Sequence, residues 1–211
     1  MQDAFGVGNW AQESHLSAEI LGSLRDLNHR FLDLTAARGT DWVAGRVAPL
    51  SVAQRAAAAG CPYALFDLRF QDDGYWRSRL QDSGAWRVAD ESVVDDETSE
   101  FVRLALFYAW HVASGAGLKA QLLLGMNGTT VAAFRRITVN QLPALVATEA
   151  VHLSMRWSGC TAYWSSLITT ASRADPAALR RVQLYGLQLA AAAQLPNPRA
   201  ERGDNGVGRL A

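Results

Sequence analysis

Apolar positions along the chain recur at helical intervals, and only two short stretches alternate as strands do. Over 17–37, Ile20, Leu24, Leu27, Phe31 and Leu34 alternate spacings of four and three, the narrow seam of a helix that packs on another helix. A short helix is expected over 41–47 and another over 72–81, the latter carrying Tyr75, Trp76 and Leu80. Phe101, Leu104, Ala105, Tyr108 and Val112 stripe a helix that begins near Thr98. Ser114-Gly115-Ala116-Gly117 interrupts it before 118–124 resumes. Helices follow over 127–135, 138–148 and 161–172. Asp175-Pro176 is a cap followed by proline in the first helical position, opening a helix that runs to about Gln194. The exceptions are 64–70 and 151–157, where alternation predicts an extended segment with one buried face. The fold class is all-α.

Residues 136–157 echo residues 49–70 at a constant offset of 87. Leu50 meets Ile137, Ser51 meets Thr138, Val52 meets Val139 and Gln54 meets Gln141. Leu68-Arg69-Phe70 meets Met155-Arg156-Trp157, and one residue further on Tyr75-Trp76 meets Tyr163-Trp164. An ordered series that preserves size and polarity reads as an internal duplication. Ser51-x-x-Gln54 and Thr138-x-x-Gln141 are capping boxes, in which hydroxyl and amide satisfy each other's backbone donors. Pro143 falls in the first turns of the second capped helix and tightens them. Read blandly, the echo is two copies of one packing unit.

Composition divides the chain. Residues 1–100 hold 9 basic and 16 acidic side chains, a net of −7; residues 101–211 hold 11 and 4, a net of +7. A basic half attracts phosphate, although two opposite halves also attract each other, within a chain or between subunits. The expected divisions are a loose arm over 1–16, a first helical repeat over 17–83, an acidic connector over 84–97 and a second repeat over 98–173. A C-terminal helix over 174–194 and a disordered basic tail over 195–211 complete them. Cys61 and Cys160 do not occupy equivalent positions and neither has a neighbouring cysteine, so reduced, cytoplasmic thiols are expected. No basic-then-apolar leader opens the chain and no run of about 18 apolar residues occurs, so no membrane span is expected.

These motifs are similar to those of the FlhD family, a subunit of the master transcriptional activator of flagellar genes. The first copy resembles that family's opening helix through Glu19-Ile20-Leu21, Asp26-Leu27-Asn28 and Phe31-Leu32-Asp33-Leu34. The second resembles its middle through Ala120-Gln121-Leu122-Leu123-Leu124-Gly125-Met126. Both carry the hydrophobe-Ser/Thr-x-x-Gln element and the hydrophobe-x-Arg-aromatic ending. The resemblance covers roughly residues 19–83 and 98–173. It implies an all-α protein with helix-turn-helix-like elements, acting as a homodimer with a zinc-bearing partner, FlhC. Helices 127–135 and 138–148 would fill the helix-turn-helix place. Phe66 and Leu153 stand where family members tend to carry a cysteine, so no thiol link between subunits carries over. Two tandem FlhD-like repeats could form an intramolecular pseudo-dimer, which leaves homo-oligomer formation open.

Candidate chemistry is sparse. His15, His29, His111 and His152 are scattered, and no zinc, Walker, dinucleotide or nucleophile-elbow motif occurs. His111 reads as a satisfied core residue and His29 as a solvated one. Asp72-Asp73 and Asp95-Asp96 read as loop pairs, and Trp76 and Trp164 as core rather than base-stacking residues. No catalytic residue, cofactor or metal ion is expected. The DNA-binding candidates are Arg135, Arg136, Asn140, Arg156, Arg173, Arg180 and Arg181, with Arg199, Arg202 and Arg209 in the tail. Arg135-Arg136 precedes a capped helix, where phosphate meets both guanidinium groups and a helix N-terminus. Asn140 alone can read a base edge. The expected function is a transcriptional regulator subunit that binds DNA with a partner such as an FlhC-like protein. The alternative is a protein–protein adaptor without DNA binding.

Overall fold

The computed structural model describes residues 7–39, 41–81 and 94–195. Helix α1 (Val7–Arg38) leads to α2 (Trp42–Val47), α3 (Val52–Ala59), the two-residue strand β1 (Phe66–Asp67) and α4 (Asp73–Gln81). Then come α5 (Asp96–Gly115), α6 (Gly117–Leu124), α7 (Gly128–Phe134) and α8 (Leu142–Glu149). Strand β2 (Ser154–Met155), α9 (Thr161–Ser172) and α10 (Pro176–Ala192) follow. The protein is predominantly helical, as the periodicity predicts.

Side chains set the helix starts by satisfying backbone donors that have no partner inside the helix. Asp41, Asp95 and Asn127 each accept from the N–H three residues on, at 2.8, 2.8 and 2.7 Å. Asp175 accepts from both Ala177 and Ala178 at 3.0 Å. Gln54 donates its N–H to the Ser51 hydroxyl at 3.3 Å, while its side-chain oxygen accepts from Ser51 N at 2.8 Å. Helix α6 ends where Gly125 turns left-handed, with φ of 77°.

Three expectations change. Helix α1 begins at Val7, so the stretch from there to residue 16 is helical rather than a loose arm. The helix expected over 138–148 splits. Val139–Gln141 forms a single 3-10 turn and α8 starts at Leu142, with Pro143 in its first turn. Proline supplies no N–H and its ring collides with the carbonyl four residues back, so a continuous α-helix cannot pass through it. The alternating stretches contribute only two ladder residues each, and Ala150–His152 is another 3-10 turn. Most of the expected connector, and the tail from residue 196, lie outside the described residues.

The core forms where α1 and α5 cross beside the β1–β2 pair. Phe31 of α1, Phe66 of β1 and Phe101 of α5 have ring centroids 5.1 to 6.0 Å apart. Helices α2 and α3 pack on α1, whereas α6, α7 and α8 pack on α5. Two contacts run across these groups: α4 packs on α7, and α9 packs on α2 and α3. Trp76 and Trp164 are fully buried, and each indole N–H reaches the carbonyl of an arginine, Arg69 or Arg156, at 3.0 Å. Helix α10 lies against α9 and α6, seated over Tyr63 at Gly186. A Cβ there would fall 1.9 Å from the Tyr63 hydroxyl.

One buried amide organises the chain between α3 and β1. Asn28 of α1 donates to the carbonyls of Ala59, Cys61 and Tyr63 at 3.2, 3.4 and 2.9 Å. Its own oxygen accepts from Leu65 N at 2.9 Å. Replacing Asn28 by Ala strands several buried backbone groups at once. At about 1–3 kcal/mol per unsatisfied buried group, the loss should be at least about 3 kcal/mol in urea unfolding. Asn28→Asp keeps the acceptor but removes the donors and should also be strongly destabilising. A loss under about 1 kcal/mol for Asn28→Ala would show that water replaces the clamp.

Candidate nucleic-acid and partner interface

The predicted arginines do not form one surface. Arg156 is only 5% exposed and belongs to the core. Its Nη1 donates to the Leu123 carbonyl at 3.1 Å, its guanidinium lies 4.5 Å from the centre of the Trp157 ring, and its Nη2 has no protein partner. Burial pushes its pKa down to about 10, opposed by the nearby Asp67 carboxylate, so it stays charged at neutral pH. Asp67 in turn is held above the usual carboxylate range by its own burial, with the Phe70 N–H and Arg156 opposing. Arg156 therefore braces the β-ribbon and is removed from the DNA-contact set. Charge was visible in the sequence; burial was not.

Arg135 is exposed but committed. It stands at the C-terminal end of α7, and its Nε donates to the Ala113 carbonyl at 2.8 Å, tying α7 to the last turn of α5. Arg136 beside it is exposed, as is Asn140 on the 3-10 turn. Arg173 closes α9, and Arg180 and Arg181 stand on the exposed side of α10. Arg136, Arg173, Arg180 and Arg181 form no ion pair among the described residues. The tail arginines Arg199, Arg202 and Arg209 lie outside the described residues.

Helices α7 and α8 occupy the place expected of a helix-turn-helix, but the outward residues of the second element are poor readers of DNA. Val139, Asn140, Pro143, Ala144, Ala147 and Val151 are exposed, and only Asn140 is polar. Val139 and Val151 are 47% and 48% exposed. Phosphate contact and base-edge recognition need donors and acceptors. A small, apolar helix face instead fits another protein.

A buried carboxylate stands outside every site the sequence predicts. Glu149 at the end of α8 is fully enclosed and accepts from the Tyr75 hydroxyl of α4 at 2.7 and 2.8 Å. Arg79 Nε lies 3.4 Å away, and Thr148 also reaches it. The His152 ring meets Tyr75 edge-on at 5.3 Å, and Arg69 lies over the Tyr75 ring at 4.0 Å. These groups join α4 to the α8 end of the molecule. The only signal in the sequence was a lone acid within an apolar stretch. His111, expected in the core, is exposed, because α5 turns it away from its buried stripe. Among the described residues no group of His, Cys, Asp and Glu is placed to hold a metal ion, and no helix is long and apolar enough to cross a membrane.

Comparison with protein families, curated proteins and solved structures finds no match to this chain.

Burial holds the Glu149 carboxyl above its ordinary value of 4.5, opposed by the Tyr75 hydrogen bond and the Arg79 cation. A raised folded-state pKa means that the native state binds the proton more tightly than the unfolded chain. This stabilising contribution is complete below the unfolded value and disappears as pH rises through the folded one. Wild type should therefore lose stability relative to Glu149→Gln as pH climbs from 4.5 toward neutrality. Paired urea titrations across that range measure the difference directly, and a flat difference would contradict the sign.

Proposed function

We propose that this chain is a subunit of a transcription-regulating assembly, built from two FlhD-like halves that fold on each other as an intramolecular pseudo-dimer. Its principal work in this reading is to hold protein partners. Several features support the two-half reading. Asp67 and Ser154 occupy the same place in the two sequence copies and pair with each other across the antiparallel ribbon. The Ser51 capping box forms in full, and Thr138 N donates to the Gln141 side chain as Ser51 N does to that of Gln54. The exchange of α4 onto α7 and of α9 onto α2 is what a swapped dimer made from one chain would contain.

The observation that carries the partner-holding reading is the exposed side of α8, where a DNA-reading helix would need polar side chains and has Pro143, Ala144 and Ala147, with Val139 and Val151 exposed in the 3-10 turns that flank it. DNA contact through phosphate is the second reading, favoured by the exposed Arg136, Arg173, Arg180 and Arg181, which form no ion pair among the described residues.

Fluorescence anisotropy with labelled duplexes over a range of salt separates the two. The chain alone should show no sequence preference. Any affinity at low salt should fall steeply with added salt, and each of these arginines that meets a phosphate should flatten the log–log slope by roughly 0.9 when changed to Ala. Sequence-selective binding by the chain alone would overturn the adaptor reading. A photo-crosslinking residue in place of Ala147 should yield a discrete protein adduct in the source cell; adducts to DNA alone would assign α8 to the duplex.

A further inference from the structure

The seam between α1 and α5 is open to solvent along its outer side. One hollow, of about 550 Å³, is lined by Arg30, Leu34 and Ala37 of α1 and by Glu97, Glu100 and Phe101 of α5. A second, of about 460 Å³, continues it between Asp26, Leu27 and Arg30 of α1 and Leu104, Phe107 and Trp110 of α5. Rising numbers on α1 meet falling numbers on α5, so the helices run in opposite directions and the hollows form one groove. Arg30 lines both. Leu34, Leu104, Phe107 and Trp110 are only partly buried, giving the groove an apolar floor. Its rim is mostly acidic, and Asp26, Asp96 and Glu97 form no ion pair among the described residues. A groove of this kind accepts an amphipathic helix that carries cations beside an apolar stripe.

Helix α10 presents that complement. Its exposed side carries Arg180 and Arg181, and one turn further on Leu184 and Tyr185, which are 60% and 39% exposed. Gly186 and Ala190 form the buried side of α10, and Tyr185 also meets Tyr163 and Cys160 at the start of α9, so Arg180, Arg181 and Leu184 are the outward residues. Neither arginine forms an ion pair among the described residues, although Arg181 lies near enough to Asp175 to feel its charge, and Asp26, Asp96 and Glu97 of the groove form none either. At 17 residues α10 is about 25 Å long, comparable with the stretch of α1 and α5 that lines the groove.

We propose that the chain associates with further copies of itself by seating α10 of one copy in the α1–α5 groove of the next. The contact joins two different patches, so it is heterologous and builds a ring or a filament. The excess of acid in the first hundred residues and of base in the rest favours the same contact, since Asp26, Asp96 and Glu97 of the groove belong to the first portion and Arg180 and Arg181 to the second. This inference goes beyond the partner-holding reading and does not depend on α8, so either can fail alone.

Multi-angle light scattering and sedimentation of the full chain test it. At low salt the mass should rise with concentration above the 22.9 kDa of a single chain, and in about 1 M salt it should fall back toward that value. Arg180→Glu with Arg181→Glu should abolish the rise, and so should Asp26→Arg with Glu97→Arg. All four positions lie on the surface, and circular dichroism checks that each variant remains helical. Leu184→Glu, which leaves both arginines in place, should weaken association through the apolar part of the contact. Mixing the two charge-reversed variants should restore association, because each then offers the other a complementary face. A wild type that stays at one chain's mass at every concentration overturns the proposal, as does association that survives either reversal or a mixture that stays monomeric. Retained monomer mass together with crosslinks from residues 82–93 to Phe107 would assign the groove to that segment of the same chain instead.

Discussion

The amide of Asn28 is the constraint on which the middle of the molecule depends. The chain between α3 and β1 is neither helix nor ladder, yet it is buried: Tyr63, Ala64, Leu65 and Phe66 are all fully enclosed. Buried carbonyls and N–H groups outside regular structure must find partners. One side chain with two donors and an acceptor in a fixed plane serves four of them. Aspartate lacks the donors and leucine lacks both functions. With the loop pinned to α1, Phe66 meets Phe31 and Phe101, and β1 lies where β2 can pair with it.

Arg156 works from the other side of the same ribbon. The Leu123 carbonyl at the end of α6 accepts both from Arg156 Nη1 and from the backbone of Ala64, at 3.1 and 2.7 Å. Arg156 N donates to Leu65 O, and Trp164 caps the carbonyl of Arg156 itself. A buried guanidinium is costly unless its charge and its donors are answered. Asp67 answers the charge, and Leu123 and the Trp157 ring face the guanidinium. Beside it, the Tyr63 and Tyr163 hydroxyls bond each other at 3.1 Å, and burial pushes the Cys61 thiol up to about 11. That thiol stays protonated and packs as a small side chain rather than reacting.

Periodicity and capping made most helices legible, because both act over a few residues. Ser51 and Asp175 cap helices as expected, and the break at Ala116 is where the small residues placed it, whereas Asp95, expected in a loop pair with Asp96, caps α5 instead. What could not be read was tertiary. Arg156 and Arg136 look alike in sequence, yet one is enclosed by aromatic rings and the other faces water. His111 sits among apolar residues along the chain but not around the helix. Glu149 is buried only because Tyr75 and Arg79, far away in sequence, come to meet it. The groove had a faint signature: α5 carries Phe107 and Trp110 outside its main stripe, more apolar surface than one packing face requires.

The charge asymmetry takes a different meaning once folded. Had the acidic and basic portions neutralised each other inside the chain, ion pairs between them would line their junction. Among the described residues two such pairs cross, Arg79 with Glu149 and Arg103 with its near neighbour Glu100, and in the first the cation comes from the acidic portion and the carboxylate from the basic one. The other pairs are formed within the acidic portion, most of them within one helix turn or a short loop. Hydrophobic burial and backbone pairing therefore hold the two portions together. Apart from Glu149 and Arg156, the described charges stand at least partly at the surface, where they act at long range on approaching molecules and set orientation before contact. The exposed Arg180 and Arg181 attract phosphate, the Asp26, Asp96 and Glu97 rim repels it, and the two sets attract each other between copies.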